Sequence, residues 1–147
     1  MHRACTSQNI GYGVLSGLIG GFVFAVLMAY MGVISRISEL FGIHNAIGGF
    51  FTHWIFSLII SVIFALVFFR LASTLLTSTI WGLLYGILWW FLGPLTILSA
   101  IIGKPIGTMW NVENVKIALP GLYGHIVYGL IMGFTYGWLR SRAKKRK

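Results

Sequence analysis

Residues 48–70 read GGFFTHWIFSLIISVIFALVFFR, and no side chain from Gly48 to Phe69 carries a full charge. About 20 apolar residues cross the hydrocarbon of a bilayer as a helix, so this run has spanning length. Three further runs share its character, and the expected spans are Ile10–Met31, Ile47–Phe69, Thr79–Ala100 and Leu119–Leu139. Composition leads to the same class. Hydrophobic residues make up 58% of the 147 and charged residues 9%, whereas a soluble domain carries roughly a quarter charged residues. Too few polar side chains are present to coat a surface, so the outer face must meet lipid. The expected fold is an all-α membrane protein of four transmembrane helices in one domain.

The first run follows a short polar leader that contains Arg3 and Cys5. It is too long for the apolar core of a signal peptide and no A-x-A cleavage site follows it, so it reads as a retained helix. Lys and Arg counts set the orientation. Arg3, Arg70, Arg140, Arg142, Lys144, Lys145, Arg146 and Lys147 lie on one side, against Arg36, Lys104 and Lys116 on the other. Eight against three places both termini in the cytoplasm and the chain in the cell membrane. The tail RSRAKKRK, residues 140–147, reads as a determinant of that topology, with attraction to anionic lipid as a second role. It offers no aromatic stacking platform, so nucleic acid is not an expected partner.

The chain also reads as one two-helix hairpin written twice. With a shift of 72, residues 49–70 lie over GLYGHIVYGLIMGFTYGWLRSR, residues 121–142. Gly49 then meets Gly121, His53 meets His125, Leu58 meets Leu130, Ile59 meets Ile131 and Arg70 meets Arg142, while Phe56 and Phe64 meet Tyr128 and Tyr136. With a shift of 65, GLIGG at 17–21 lies over GLLYG at 82–86. Two spans per unit give both units the same direction across the membrane, with a pseudo-twofold axis along its normal.

Small residues recur every fourth position on each span: Gly13, Gly17, Gly21, Ala25 and Ala29; Gly49, Ser57, Ser61 and Ala65; Ser78, Gly82 and Gly86; Gly121, Gly129, Gly133 and Gly137. His53 and His125 occupy the missing steps in the second and fourth sets. Such stripes let helix backbones approach closely where lipid supplies no hydrophobic drive for association. They are expected to be packing faces of a tight bundle, and the competing use is a groove for a substrate.

Chemistry is sparse. The only acidic residues are Glu39 and Glu113, with no Asp, which removes paired-carboxylate catalysis and hard-metal sites. The one cysteine excludes an internal disulfide and any CxxC site. His53 and His125 lie inside the spans, where ionisable groups are functional candidates. At matched depth the two imidazoles are a candidate ligand pair for haem iron or a soft metal, with Trp89, Trp90 and Phe91 as candidate walls. The plainer expectation is that each imidazole bonds a carbonyl of a neighbouring helix or loop and pins the bundle. Pro94 is expected to kink the third span. The loop after it holds Trp110, Glu113 and Lys116, with Trp110 as an interfacial anchor, and is the expected contact surface. Arg36 and Glu39 stand one helical turn apart, close enough to pair.

HWIFS in the second span, LLYGILWWFLGP in the third and GHIVYG in the fourth together resemble a family of small multipass prokaryotic membrane proteins of unknown function. Its marks are GHxxYGxxxG near the C-terminus and LGPLxxxPxxxG after the third helix. Ser99 and Ala100 stand here where that pattern has a Met-Pro pair, so the loop geometry is expected to differ. The resemblance implies the multipass fold and no activity.

No nucleophile elbow, zinc-protease or phosphate-loop motif is present, and no carboxylate is expected within a span, so the chain is not expected to be an enzyme or a proton-coupled transporter. The expected role is a structural or accessory subunit that packs against itself or a larger membrane complex. An oligomeric channel or passive carrier is the first alternative, and a bis-histidine haem- or metal-binding protein the second.

Overall fold

A computed structural model of the chain describes residues 2–144, with side chains from Ser7 onward. Lys145, Arg146 and Lys147 of the tail, and the side chains of Arg3 and Cys5, lie outside the described residues. The helices are α1 (His2–Tyr30), α2 (Ser35–Glu39), α3 (Ala46–Val67), α4 (Leu75–Leu92), α5 (Leu98–Ile101) and α6 (Val112–Lys144), with a π-turn over Gly93–Ile97 joining α4 to α5. Among the described residues there is no strand. Four helical segments are long and apolar enough to cross a membrane: Ser7–Tyr30, Ala46–Val67, Leu75–Ile101 and Val112–Lys144. Their outward faces are apolar, with Phe22, Ile59, Leu84 and Phe134 each about half exposed. Water does not tolerate such a surface over a whole bundle, and lipid does. This is a multipass membrane protein, and four crossings bring both termini to one face of it.

Local chemistry sets the helix ends. α1 closes on Gly32, whose φ of +67° suits a residue without Cβ, and Val33 N donates back to Met28 O at 3.0 Å. Asn45 caps α3 by accepting from Gly48 N at 2.7 Å. Thr74 and Thr77 form a reciprocal capping box that starts α4 at Leu75, one turn ahead of the expected Thr79. The fourth span departs furthest from expectation. Asn111 accepts from Asn114 N at 2.9 Å, and Glu113 places negative charge in the first turn, so α6 begins at Val112 rather than Leu119. Pro120 therefore lies inside the helix instead of marking its edge. At about 1.5 Å per residue the 33 residues of α6 run to roughly 50 Å, well beyond the ~30 Å of hydrocarbon, so both ends project. In the third span, Pro94 lacks the N–H that an α-helical ladder needs, and the chain answers with the π-turn, Leu98 N bonding Gly93 O.

Two hairpins close through their small residues. A Cβ on Gly13 would meet Ala65, one on Gly17 would meet Ser61, and one on Gly21 would meet Ser57, which joins α1 to α3. In the second hairpin a Cβ on Gly137 would meet Ser78, one on Gly82 would meet Gly133, and one on Gly86 would meet Gly129, joining α4 to α6. Adding 65 to the first partner and 72 to the second carries each contact of the first hairpin onto one of the second.

The seams between hairpins differ. α1 and α6 lie close: the ring of Phe24 fills the notch at Gly124, and Gly20 faces the ring of Tyr128. α3 and α4 keep their backbones apart and meet through rings, Phe64 and Phe68 against Tyr85, and Phe68 against Trp81. Residues at the same numbering shifts differ in size. The counterparts of Gly20, Phe24 and Gly124 are Tyr85, Trp89 and Thr52, so the second seam has larger side chains and no notch to receive them. Phe24, Phe64, Tyr128, Met132 and Tyr136 fill the centre.

Candidate functional site

His53 lies on the buried stripe of α3 and His125 on that of α6, and the bundle brings them together around one ring. Phe24 of α1 stands edge-on to both, with centroids 4.6 Å from His53 and 4.8 Å from His125 and interplanar angles of 85° and 72°. Both imidazoles thus abut the same ring, at one depth in the bundle. Gly124 makes this possible, since any side chain there would take the space of the Phe24 ring. Nδ1 of His125 lies 2.8 Å from Gly121 O. A carbonyl only accepts, so Nδ1 carries the proton and Nε2 the lone pair. This bond stays within α6 and pins no neighbouring helix. Nδ1 of His53 is buried and makes no hydrogen bond among the described residues. Neither imidazole therefore makes the cross-helix bond expected of it.

Trp89, Trp90 and Phe91 do not form one wall. Trp89 meets Tyr85 edge-on at 6.1 Å, Trp90 Nε1 donates to Ala118 O at 2.9 Å, and Phe91 packs tilted against Trp110 at 5.4 Å. Among the described residues no three His, Cys, Asp or Glu side chains gather as a metal would require.

At the face opposite the termini, Trp110 is half exposed and docked against its own bundle. Its ring lies on Phe91, and its Nε1 donates to Thr96 Oγ1 at 3.2 Å, which folds the loop back onto the π-turn. Glu113 and Lys116 stand exposed on the first turns of α6. Across the bundle, Arg36 and Glu39 of α2 form no ion pair among the described residues. Both border a groove of about 460 Å3 whose other bank is the end of the third span.

The termini face carries a set of contacts that charge counting alone does not reveal. Nη1 of Arg140 donates to Phe69 O and, at 2.7 Å, to Ala72 O, and Lys144 Nζ donates to Ser73 O at 3.3 Å. Two basic residues of the tail thus hold the 68–74 turn by its carbonyls. Arg142 lies 4.2 Å over the ring of Trp138.

Every fixed position of GHxxYGxxxG has a packing role here. Gly124 receives Phe24, His125 abuts it, Tyr128 donates to Ser57 O at 2.7 Å, and Gly129 and Gly133 receive the backbone of α4. Gly13, Gly17, Gly21, Gly82, Gly86 and Gly137 are all buried at helix contacts. The residues that sequence reading missed are Phe24, Tyr85 and Arg140. Phe24 had a signal in hindsight: it lies one turn after Gly20 on the face bearing Gly13 and Gly17. No protein-family profile, curated protein or solved structure matches the chain.

Proposed function

We propose that this chain is a structural or accessory subunit of a membrane complex, with no catalytic role of its own. The observation that carries this reading is the use made of the polar and small residues: the hydroxyls of Tyr85 and Tyr128, Arg140 and the glycine stripes all close the bundle on itself. Outside it, four broad apolar faces are left to lipid or to other chains. The matched register of the two hairpins supports a tandem duplication, and the Lys and Arg asymmetry supports a cell-membrane protein with both termini in the cytoplasm.

The bis-histidine reading meets an obstacle in Phe24. Each imidazole packs edge-on against its ring, and among the described residues no third His, Cys, Asp or Glu joins the pair. Purified protein is expected to show no Soret band and no stoichiometric metal by elemental analysis.

Gentle detergent extraction followed by mass spectrometry tests the main reading. A second polypeptide at fixed stoichiometry is expected. A monodisperse particle that contains only this chain would overturn it.

A further inference from the structure

The groove opposite the termini has a built-in division of chemistry. Leu40, Pro94 and Leu98 line it, and Arg36, Glu39 and Lys104 border it. One bank is the segment around α2, which packs on α3, and the other is the continuation of α4 beyond its π-turn. The groove therefore sits over the seam of α3 and α4, where ring packing holds the backbones apart. Its volume of about 460 Å3 falls in the roughly 300–1,000 Å3 range of ligand sites.

The rim charges are poorly matched within the protein. The Arg36 guanidinium makes no hydrogen bond or ion pair among the described residues. Among the described residues Lys104 Nζ donates to Met109 Sδ at 3.9 Å, a weak acceptor. Two cations against one carboxylate leave a net positive rim over an apolar floor. The neighbouring Ile101 and Ile102 are more than half exposed and close the end of an apolar span, which puts the rim at the boundary between hydrocarbon and headgroups. A ligand that fits must be anionic above, apolar below, and supplied from the bilayer.

We propose that this groove is a binding site for one anionic phospholipid, its phosphate against Arg36 and Lys104 and an acyl chain along Leu40 and Leu98. Glu39 tunes the site by offsetting one of the two cations. The site is separate from Arg140 and Lys144, which hold the turn at the opposite face.

Native mass spectrometry of the delipidated full chain, titrated with dioleoyl phosphatidylglycerol or dioleoyl phosphatidylcholine, tests this. Phosphatidylglycerol is expected to be retained the more tightly. Arg36→Gln with Lys104→Gln should weaken it about 30-fold, at roughly five-fold per basic residue near a membrane surface, and leave phosphatidylcholine unchanged. Glu39→Gln should tighten phosphatidylglycerol, and Leu98→Trp should displace it by filling the floor. The tail is intact in every variant, so the differences isolate the groove. Equal retention of the two lipids by the wild type, or unchanged phosphatidylglycerol binding in a double variant of wild-type thermal stability, would overturn the proposal. Displacement of the lipid by inorganic phosphate at matched concentration would overturn its membrane source.

Discussion

The hydroxyl of Tyr128 donates to the backbone carbonyl of Ser57 at 2.7 Å, across 71 residues of chain. Ser57 also presents its side chain to Gly21, and the ring of Tyr128 lies against Gly20. Three spans, α1, α3 and α6, therefore converge on one residue. Tyr85 makes the matching link on the other seam, donating to Ile60 O at 3.0 Å. The two hairpins are joined by two phenols, both aimed at the backbone of α3.

Removing the Tyr128 hydroxyl should cost modestly. A buried interhelical hydrogen bond contributes about 0.5–1.5 kcal/mol, and membrane examples average about 0.6. Tyr128→Phe is expected to lower stability by that amount in detergent–SDS unfolding, and Tyr85→Phe by a similar one. No change in either variant would remove these bonds from the account.

Glycine contacts should dominate stability by comparison. A Cβ on Gly82 would strike the carbonyl of Gly129, which is backbone and cannot swing aside. Gly82→Ala is expected to destabilise by about 1–3 kcal/mol, the usual range for overpacking. Gly11 has open space at its Cβ position, and Gly11→Ala should be neutral or stabilising by up to about 1 kcal/mol from helix propensity. Equal effects at the two positions in the same unfolding assay would contradict the packing scheme.

Arg140 should act as a clasp for the turn between α3 and α4. Arg140→Gln leaves Ala72 O with its bond from Ser78 Oγ at 3.0 Å but deprives Phe69 O of its side-chain donor. Hydrogen bonds to charged groups are worth about 1.5–3 kcal/mol, so amides of residues 70–74 should exchange faster with deuterium by a factor of ten or more. Unchanged exchange would show that the turn holds itself.

Sidedness is open to direct labelling. In a Cys5→Ser background, Thr108→Cys should react with an impermeant maleimide in intact cells, while Ser73→Cys should react only after permeabilisation. Both positions are exposed. The reverse pattern would invert the proposed orientation.

Much of this was legible in the residues. Uncharged runs of spanning length locate four helices, because hydrocarbon demands that length. Spacing of four locates the close contacts, because a helix returns to one face at that interval. Boundaries were less legible. Pro120 marks a helix edge if proline is taken as a breaker, yet the cap at Asn111 and the charge of Glu113 start α6 two turns earlier. The histidine pair shows a deeper limit. Matched positions in two similar hairpins imply matched depth, but not what packs against them. Phe24 comes from a third helix, and only the packing of α1 against Gly124 puts it there. Arg140 was countable as a charge, whereas its carbonyl partners follow from the tertiary fold.

The most direct test of a subunit role is site-specific photo-crosslinking in intact cells from one outward residue on each span: Phe22, Ile59, Leu84 and Phe134, each about half exposed. A benzophenone amino acid at each position samples what lies against that face. At least one face is expected to give a discrete protein adduct of constant mass. Adducts to lipid alone at all four positions would contradict a structural or accessory role in a larger complex.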